Sequence, residues 1–388
     1  MKTRTLLFGF ALCLAIISCT QKKEKDDMQA INTECLDFGR VKTGSDRPSL
    51  QYKTEFIKLE TSDSCLITNV GQIEYKNDTL FVLDDAAMKL LAFDRQGRFL
   101  QAIGQKGNGP GEYALPVSIF LNEPETALYV IDGGQQKLIE YDANTFDYRD
   151  ERKLPFNTSC VCSLDDGQHL IWNDIQYQDA ETAFHFLTTD TDLDVENHYV
   201  EKEFKSGYIM APSVSMFKSG QHVFGYIPFS SVIYELTANE CHPIYSVKYD
   251  NFEFPTVSYM DEISNKGTSS YFNKLEESGL ISYNKVLGNS HCLLSCFMVK
   301  DSKYIGCYNL QNKKGDVFLL KDFAHSLQCG QFEYAATSIK TDCFALVMMP
   351  SVLKQLDTEE YAFCNGLKSI VNKTSEEDNP IICLLTIK

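Results

Sequence analysis

The chain has 388 residues and a formal net charge of −17. Such an acidic balance excludes a nucleic-acid partner, because phosphate backbones are held by clustered Lys and Arg. Beyond that, net charge speaks to solubility rather than to fold.

The first nineteen residues carry Lys2 and Arg4, an apolar run from Leu6 to Ile17, and then Ser18 and Cys19. This is the pattern of a secretory signal, too short to span a bilayer as a helix. Ile16-Ile17-Ser18-Cys19 resembles the bacterial lipobox, which implies cleavage before Cys19 and a lipid on its new amino terminus. Residues 1–18 are therefore expected to be a lipoprotein signal peptide. Residues 19–37, which include the charged run TQKKEKDD, are expected to be the lipidated Cys and a flexible tether. The membrane is reached through that lipid only, at the outer membrane and on its periplasmic or its outer side.

From Phe38 onward, short β-branched and aromatic segments follow one another between Asp, Gly and Asn turns. In the first clear group, residues 67–74, 79–83, 89–93 and 98–103 read as four strands. Leu80, Val82, Asp84, Lys89, Leu90 and Asp94 then recur 48 residues later as Leu128, Val130, Asp132, Lys137, Leu138 and Asp142. A period of about 40–50 residues without gaps is that of a propeller blade. Residues 38–388 are expected to form one domain, an all-β six-bladed β-propeller of four-stranded antiparallel blades. Residues 170–173 with 184–188, 222–226 with 232–236, and 292–299 with 304–310 read as second and third strands of blades three to five. Residues 343–349 belong to the sixth. Two stretches, 269–278 and 358–371, have helical spacing and read as small insertions. The last run, 380–387, is strand-like and suited to closing the ring.

Between the two repeated segments lies GQKGNGPGEY, Gly104 to Tyr113. It lacks the ending of a phosphate-binding P-loop and does not open a helix. Pro110 and Gly111 instead suit the two central positions of a tight turn, so this is an inter-blade corner. Read as a whole, Val82 to Tyr113 resembles the six-bladed β-propeller lipoproteins of Bacteroides and relatives, themselves similar to NHL-repeat and TolB-like propellers. Asp84, Phe93, Asp94, Gly97, Arg98, Phe99, Gly109, Pro110, Gly111 and Glu112 carry the resemblance, and Asn379-Pro380 resembles the family's ending. Blades three to six lack the same strand-end Asp and Phe-Asp pair. The resemblance implies a cell-envelope protein that binds a carbohydrate, peptide or other ligand.

Asp84, Asp85 and Asp132 fall at strand ends on one relative edge of neighbouring blades. Two readings stand: carboxylates at a channel mouth holding a cation, for which Ca2+ would suit an oxygen-rich set, or caps that accept backbone N–H groups in their own turns. No other cofactor is implied. The seven histidines, at 169, 185, 198, 222, 242, 291 and 325, show no metal-ligand spacing. Twelve cysteines remain after Cys13 and Cys19, and they read mostly as small buried hydrophobes. Tyr208, Tyr226, Tyr259 and Tyr271 are candidate stacking platforms, against the commoner role of packing between blades. The leading functional reading is a non-enzymatic, lipid-anchored propeller binding a small molecule, glycan, peptide or envelope protein outside the cytoplasm. A metal-dependent hydrolase or lyase, and a structural subunit of an outer-membrane complex, are the alternatives.

Overall fold

Strand segments such as Leu80-Phe81-Val82-Leu83 and Phe344-Ala345-Leu346-Val347 are apolar at every position, not at alternate ones. A sheet reads this way when both its faces are covered, and the arrangement of the sheets supplies the cover. The computed structural model describes residues 33–43, 46–173, 183–202, 216–264, 268–333, 337–340, 342–356 and 362–388. Its strands form six antiparallel blades around a central channel.

Blade 1 runs Val70–Lys76, Thr79–Asp84, Lys89–Asp94 and Phe99–Ala102, and blade 2 runs Pro116–Leu121, Ala127–Asp132, Lys137–Asp142 and Tyr148–Lys153. Blade 3 is Val161–Ser163, His169–Asn173, Phe184–Asp190 and Val195–Glu201. Blade 4 is Met216–Ser219, His222–Tyr226, Val232–Leu236 and Cys241–Lys248, and blade 5 is Ile281–Gly288, Cys292–Val299, Ser302–Asn309 and Lys314–Leu319. Blade 6 begins with Thr337–Lys340, Cys343–Met348 and Ile381–Ile387, but its outermost strand is Tyr52–Lys58 from the other end of the chain. The ring is closed by that antiparallel pairing, in which Ile387 faces Tyr52 and Ile381 faces Lys58.

A hydrophobic cluster fills each of the six inter-blade gaps. Trp172 lies wholly buried between blades 2 and 3, its indole N–H donating to Thr189 Oγ1 at 3.0 Å. Large rings recur in these gaps because wedge-shaped spaces between twisted sheets need bulky fillers.

The segment expected as tether is ordered earlier than its composition suggests. Glu34–Asp37 adds a fifth, parallel strand to blade 4, and Val41–Lys42 adds one to blade 5. Between them Phe38 is buried against Tyr249 and Tyr308. A side chain on Gly306 or Gly315 would collide with Phe38, its Cβ coming within 2.7 and 2.5 Å respectively. The propeller therefore includes residues from Glu34 onward. Residues 1–32, with the signal peptide and Cys19, lie outside the described residues.

The two faces of the ring differ. One is made of tight hairpins joining first to second and third to fourth strands. The other carries the turns between second and third strands and the crossovers between blades. On it lie the glycine-rich corner and all five described helices: α1 (Val257–Ser264), α2 (Thr268–Ser278), α3 (Leu320–Ser326), α4 (Pro350–Leu353) and α5 (Asn365–Asn372). The helical spacing of 269–278 corresponds to α2; α5 covers the latter part of 358–371, and residues 357–361 lie outside the described set.

Candidate functional site

Each inner strand begins on the loop-rich face, and the second strand returns to end beside it. Asp84 and Asp132 occupy that end in blades 1 and 2, and both are completely buried. The Asp84 carboxylate accepts the backbone N–H groups of Thr68 (2.6 Å), Asn69 (3.2 Å) and Ala87 (2.9 Å). Asp132 does the same for Ala114, Leu115 and Gly134, each at 2.9 Å, and also receives Gln135 Nε2 at 2.7 Å. Burial alone would raise the Asp132 pKa, but these donors outweigh it and hold the carboxyl below its ordinary value. The two residues thus clamp each incoming crossover to its own blade. Asp85 differs: it is exposed, lies over Gly71, and among the described residues accepts only Asn69 Nδ2, at 2.7 Å.

The third blade has the clamp in another letter. Asn173 Oδ1 accepts the Ser159 and Cys160 N–H groups at 2.9 and 2.8 Å, while its Nδ2 donates to Ser159 Oγ. Third-strand ends keep their Asx too. Asp94, Asp142, Asp190 and Asn309 each accept two backbone N–H groups of the hairpin that follows. The strand-end pattern therefore extends into blades 3 and 5, where the sequence reading did not find it. The signal was present, since Asp190 lies as far beyond Asp142 as Asp142 lies beyond Asp94.

The glycine-rich corner is a turn, as its chemistry implies. Glu112 N–H donates to Gly109 O at 3.0 Å across Pro110 and Gly111, and Gly111 has φ of 68°. Its amides are engaged within the protein: Gly109 N–H by the Glu112 carboxylate (2.8 Å), Gly107 N–H by Tyr113 O (3.0 Å), and Gly111 N–H by Glu151 (3.1 Å). Tyr141 donates its hydroxyl hydrogen to Gly111 O at 2.8 Å and fixes the corner from below.

Inside the ring, Gln72 of blade 1 spans to the inner strand of blade 2. Its Nε2 donates to Ile119 O (2.7 Å), and its Oε1 accepts both Ile119 N–H and Ser118 Oγ at 3.0 Å. That locked amide also donates to Glu74 Oε1 at 3.0 Å. Glu74, on the inner strand of blade 1, is half-buried, and burial pushes its pKa up to about 8 against the partial relief from Gln72. Further round, Lys218 of blade 4 reaches Glu123 of blade 2 at 2.7 Å and Asp165 of blade 3 at 2.5 Å. Burial would lower the Lys218 pKa, but these carboxylates outweigh it and keep the ammonium charged. Both acids lie in hairpin-face turns, so this triad braces three blades at that end.

The described histidines do not converge. His169 meets Asp166 (2.5 Å) and Glu196 (3.4 Å), His222 meets Glu235, and His242 meets Glu240 at 3.0 Å. Among the described residues no group of three or more His, Cys, Asp or Glu has the geometry to hold a metal ion. All twelve described cysteines are unbridged, eight of them buried; burial pushes Cys241 up to about 12 and raises Cys162 as well, so these are unreactive thiols. Tyr226 and Tyr271 are buried, and the half-buried Tyr259 donates to Lys274 O at 3.0 Å. Tyr208 lies outside the described residues.

Comparison with known proteins agrees with this architecture. A family model described as a six-bladed β-propeller, DUF5128, matches residues 22–347. A crystal structure of an inferred exported protein from Bacteroides fragilis is 34% identical, with 91% of this chain and 99% of that one covered and a TM-score of 0.84. A DUF4221 member from Bacteroides vulgatus shares the fold at 9% identity, with 88% and 99% covered and a TM-score of 0.55. No curated protein matches. The chain belongs to the DUF5128 family of six-bladed β-propellers.

Proposed function

We propose that this is an exported, lipid-anchored propeller that binds a ligand or protein partner through its loop-rich face, without catalysing a reaction. The observation that carries the reading is the inequality of the two faces. The hairpin face consists of short turns closed on themselves by Asx residues and braced by Lys218 with Glu123 and Asp165. The opposite face carries the helices, the crossovers and the exposed Asp85. Binding residues characteristically sit on loops that a rigid scaffold positions, and this scaffold concentrates such loops on one side. Asp84 and Asp132 would set the crossovers in place, and Asp85 would be the acid of the three that meets a ligand.

Export and anchoring rest on the amino-terminal sequence, together with the exported relative from Bacteroides fragilis. No helix among the described residues is long and apolar enough to cross a membrane. The test has two arms. Cys19→Ala should move the protein from the membrane fraction to the soluble extracytoplasmic fraction; retention on membranes would overturn the lipid anchor. Arrays of glycans and peptides probed with the mature chain should give hits that Asp85→Lys weakens and Asp192→Lys, on the hairpin face, does not. Equal loss in both variants would overturn the assignment of the face.

A further inference from the structure

Beside the glycine-rich corner, blade 2 carries a groove of about 490 Å3 on the loop-rich face, formed by the turn after Asp132 and the facing ends of the third and fourth strands. Its lining includes Gln135, Gln136, Lys137, Glu151, Arg152 and Lys153. Lys137 and Lys153 therefore share one face with a single carboxylate, Glu151, in a chain whose formal charge is −17.

The cations are placed in a way the fold does not need. Lys137 and Lys153 stand directly opposite each other in the antiparallel register, an arrangement that costs stability for like charges. Glu151 neutralises Lys137 at 2.9 Å. Among the described residues the exposed Lys153 donates only to Gln135 O at 3.1 Å, while Arg152, on the other face of the strand, donates to Thr191 O of blade 3. The Gln135 carbonyl orients Lys153 without cancelling its charge.

The floor is built, not loose. Glu151 also accepts Gly111 N–H at 3.1 Å, and Gln135 Nε2 is shared between Asp132 (2.7 Å) and Gly107 O (3.2 Å). Gln136 Nε2 donates to Asn157 Oδ1 at 2.5 Å, which leaves the Gln136 side-chain carbonyl oxygen as an acceptor in the groove lining. A groove with one surplus cation beside paired amides matches a carboxylate next to hydroxyls, and its volume falls within the range of small-molecule sites.

We propose that this groove binds a uronic-acid saccharide of one or two residues, its carboxylate against Lys153 and its hydroxyls on Gln136. The proposal deepens the ligand-binding reading above and rests on it. The test is calorimetric titration of the mature chain with digalacturonate, with neutral galactobiose as the control. Digalacturonate should bind saturably, galactobiose at least about tenfold more weakly, and Lys153→Glu should weaken digalacturonate by at least about tenfold, or 1.4 kcal/mol, with an unchanged thermal transition. Gln136→Ala, which leaves every charge in place, should weaken both sugars alike. Failure of digalacturonate to bind at millimolar concentration, equal binding of the neutral sugar, or indifference to Lys153→Glu would each overturn the site. An array hit that is sensitive to Asp85 alongside any of these results would remove this groove while leaving the loop-face reading intact.

Discussion

Asn379 accepts the N–H of Ile67 at 2.8 Å across 312 residues of sequence, and its own Nδ2 donates to Glu60 O (2.6 Å) and Cys65 O (2.8 Å). One buried amide thus ties the strand that completes the ring to the crossover entering blade 1. Asn379→Ala would leave the Ile67 N–H and Cys65 O unmatched, while Glu60 O keeps the Cys65 thiol at 3.2 Å. At about 1–3 kcal/mol for an orphaned buried group, partly relieved by water, a loss of about 2–4 kcal/mol is expected. Chemical denaturation of the variant checks this; a midpoint unchanged from wild type would show that the ring closure does not depend on this side chain.

The clamps predict how the fold responds to acid. Asp132, Asp94, Asp166 and Asp378 all have carboxyls held below their ordinary pKa, and hydrogen bonds at the exposed Asp142 bring it to about 2. A depressed native pKa means that the unfolded chain takes up protons first, so the stabilisation is complete above about pH 4 and drains away as the pH falls toward 2. The denaturation midpoint should therefore fall steeply over that interval. Asp132→Asn should flatten part of the slope, at the cost of turning an amide N–H toward backbone donors. A wild-type midpoint independent of pH between 4 and 2 would contradict the clamp energetics.

Glu74 predicts the opposite trend at higher pH. Its native pKa is raised to about 8, whereas the unfolded chain titrates near the usual Glu value of about 4.3. Between those values the native state holds a proton that the unfolded state has released, so stability declines as the pH rises from about 4.3 to about 8 and then levels off. Glu74→Gln preserves the bond with Gln72 in one orientation of the amide and removes the titration. The variant should gain on the wild type as the pH increases from 5 to 8. Parallel stability curves would show that Glu74 is already ionised in the native state.

Much of the fold can be read from residue spacing, and the reason is visible in blades 1 and 2. No insertion interrupts Asp84 to Asp132, so identical clamps fall at identical spacing. In blade 3 the second-strand clamp becomes Asn173 and arrives seven residues early relative to that spacing, and the connection from Asn173 to Phe184 then restores Asp190 to register. Letters and spacing change together there, and the repeat fades although the hydrogen bonds persist. The added strands at Glu34–Asp37 and Val41–Lys42 are illegible for a different reason: they are four and two residues long, and their partners begin at Tyr245 and Val317. The site was only half legible. A strand-end Asp announces that a carboxylate is placed with care, but whether it meets a ligand or a backbone amide depends on crossovers that carry no motif.

The glycine-rich corner gives a sharper substitution test. Gly111 sits at positive φ, and a Cβ there would come within 2.8 Å of the Tyr148 ring. Gly111→Ala therefore meets both backbone strain of about 1–2 kcal/mol and a steric clash, and should displace the Gly111 N–H from Glu151. Gly39, at φ of 65° with open space around its Cβ position, isolates the backbone contribution. Gly111→Ala should destabilise more than Gly39→Ala, read from denaturation midpoints. Equal effects would mean that Tyr148 yields freely.

The amino-terminal strands make the last prediction, because they decide where folded protein begins. Phe38 is 1% exposed, its ring tilted against Tyr249 at 5.3 Å and Tyr308 at 5.5 Å, in a notch that exists only because residues 306 and 315 are glycines. Phe38→Ala should cost about 3–5 kcal/mol, the usual range for emptying a buried aromatic site. Removing residues 20–42 should cost at least as much and also bare the fourth strands of blades 4 and 5, whose unpaired edges template association. The truncated chain should therefore sediment partly as oligomers where the mature chain does not. If residues 34–42 were only a tether, the truncation would leave both the denaturation midpoint and the sedimentation profile unchanged.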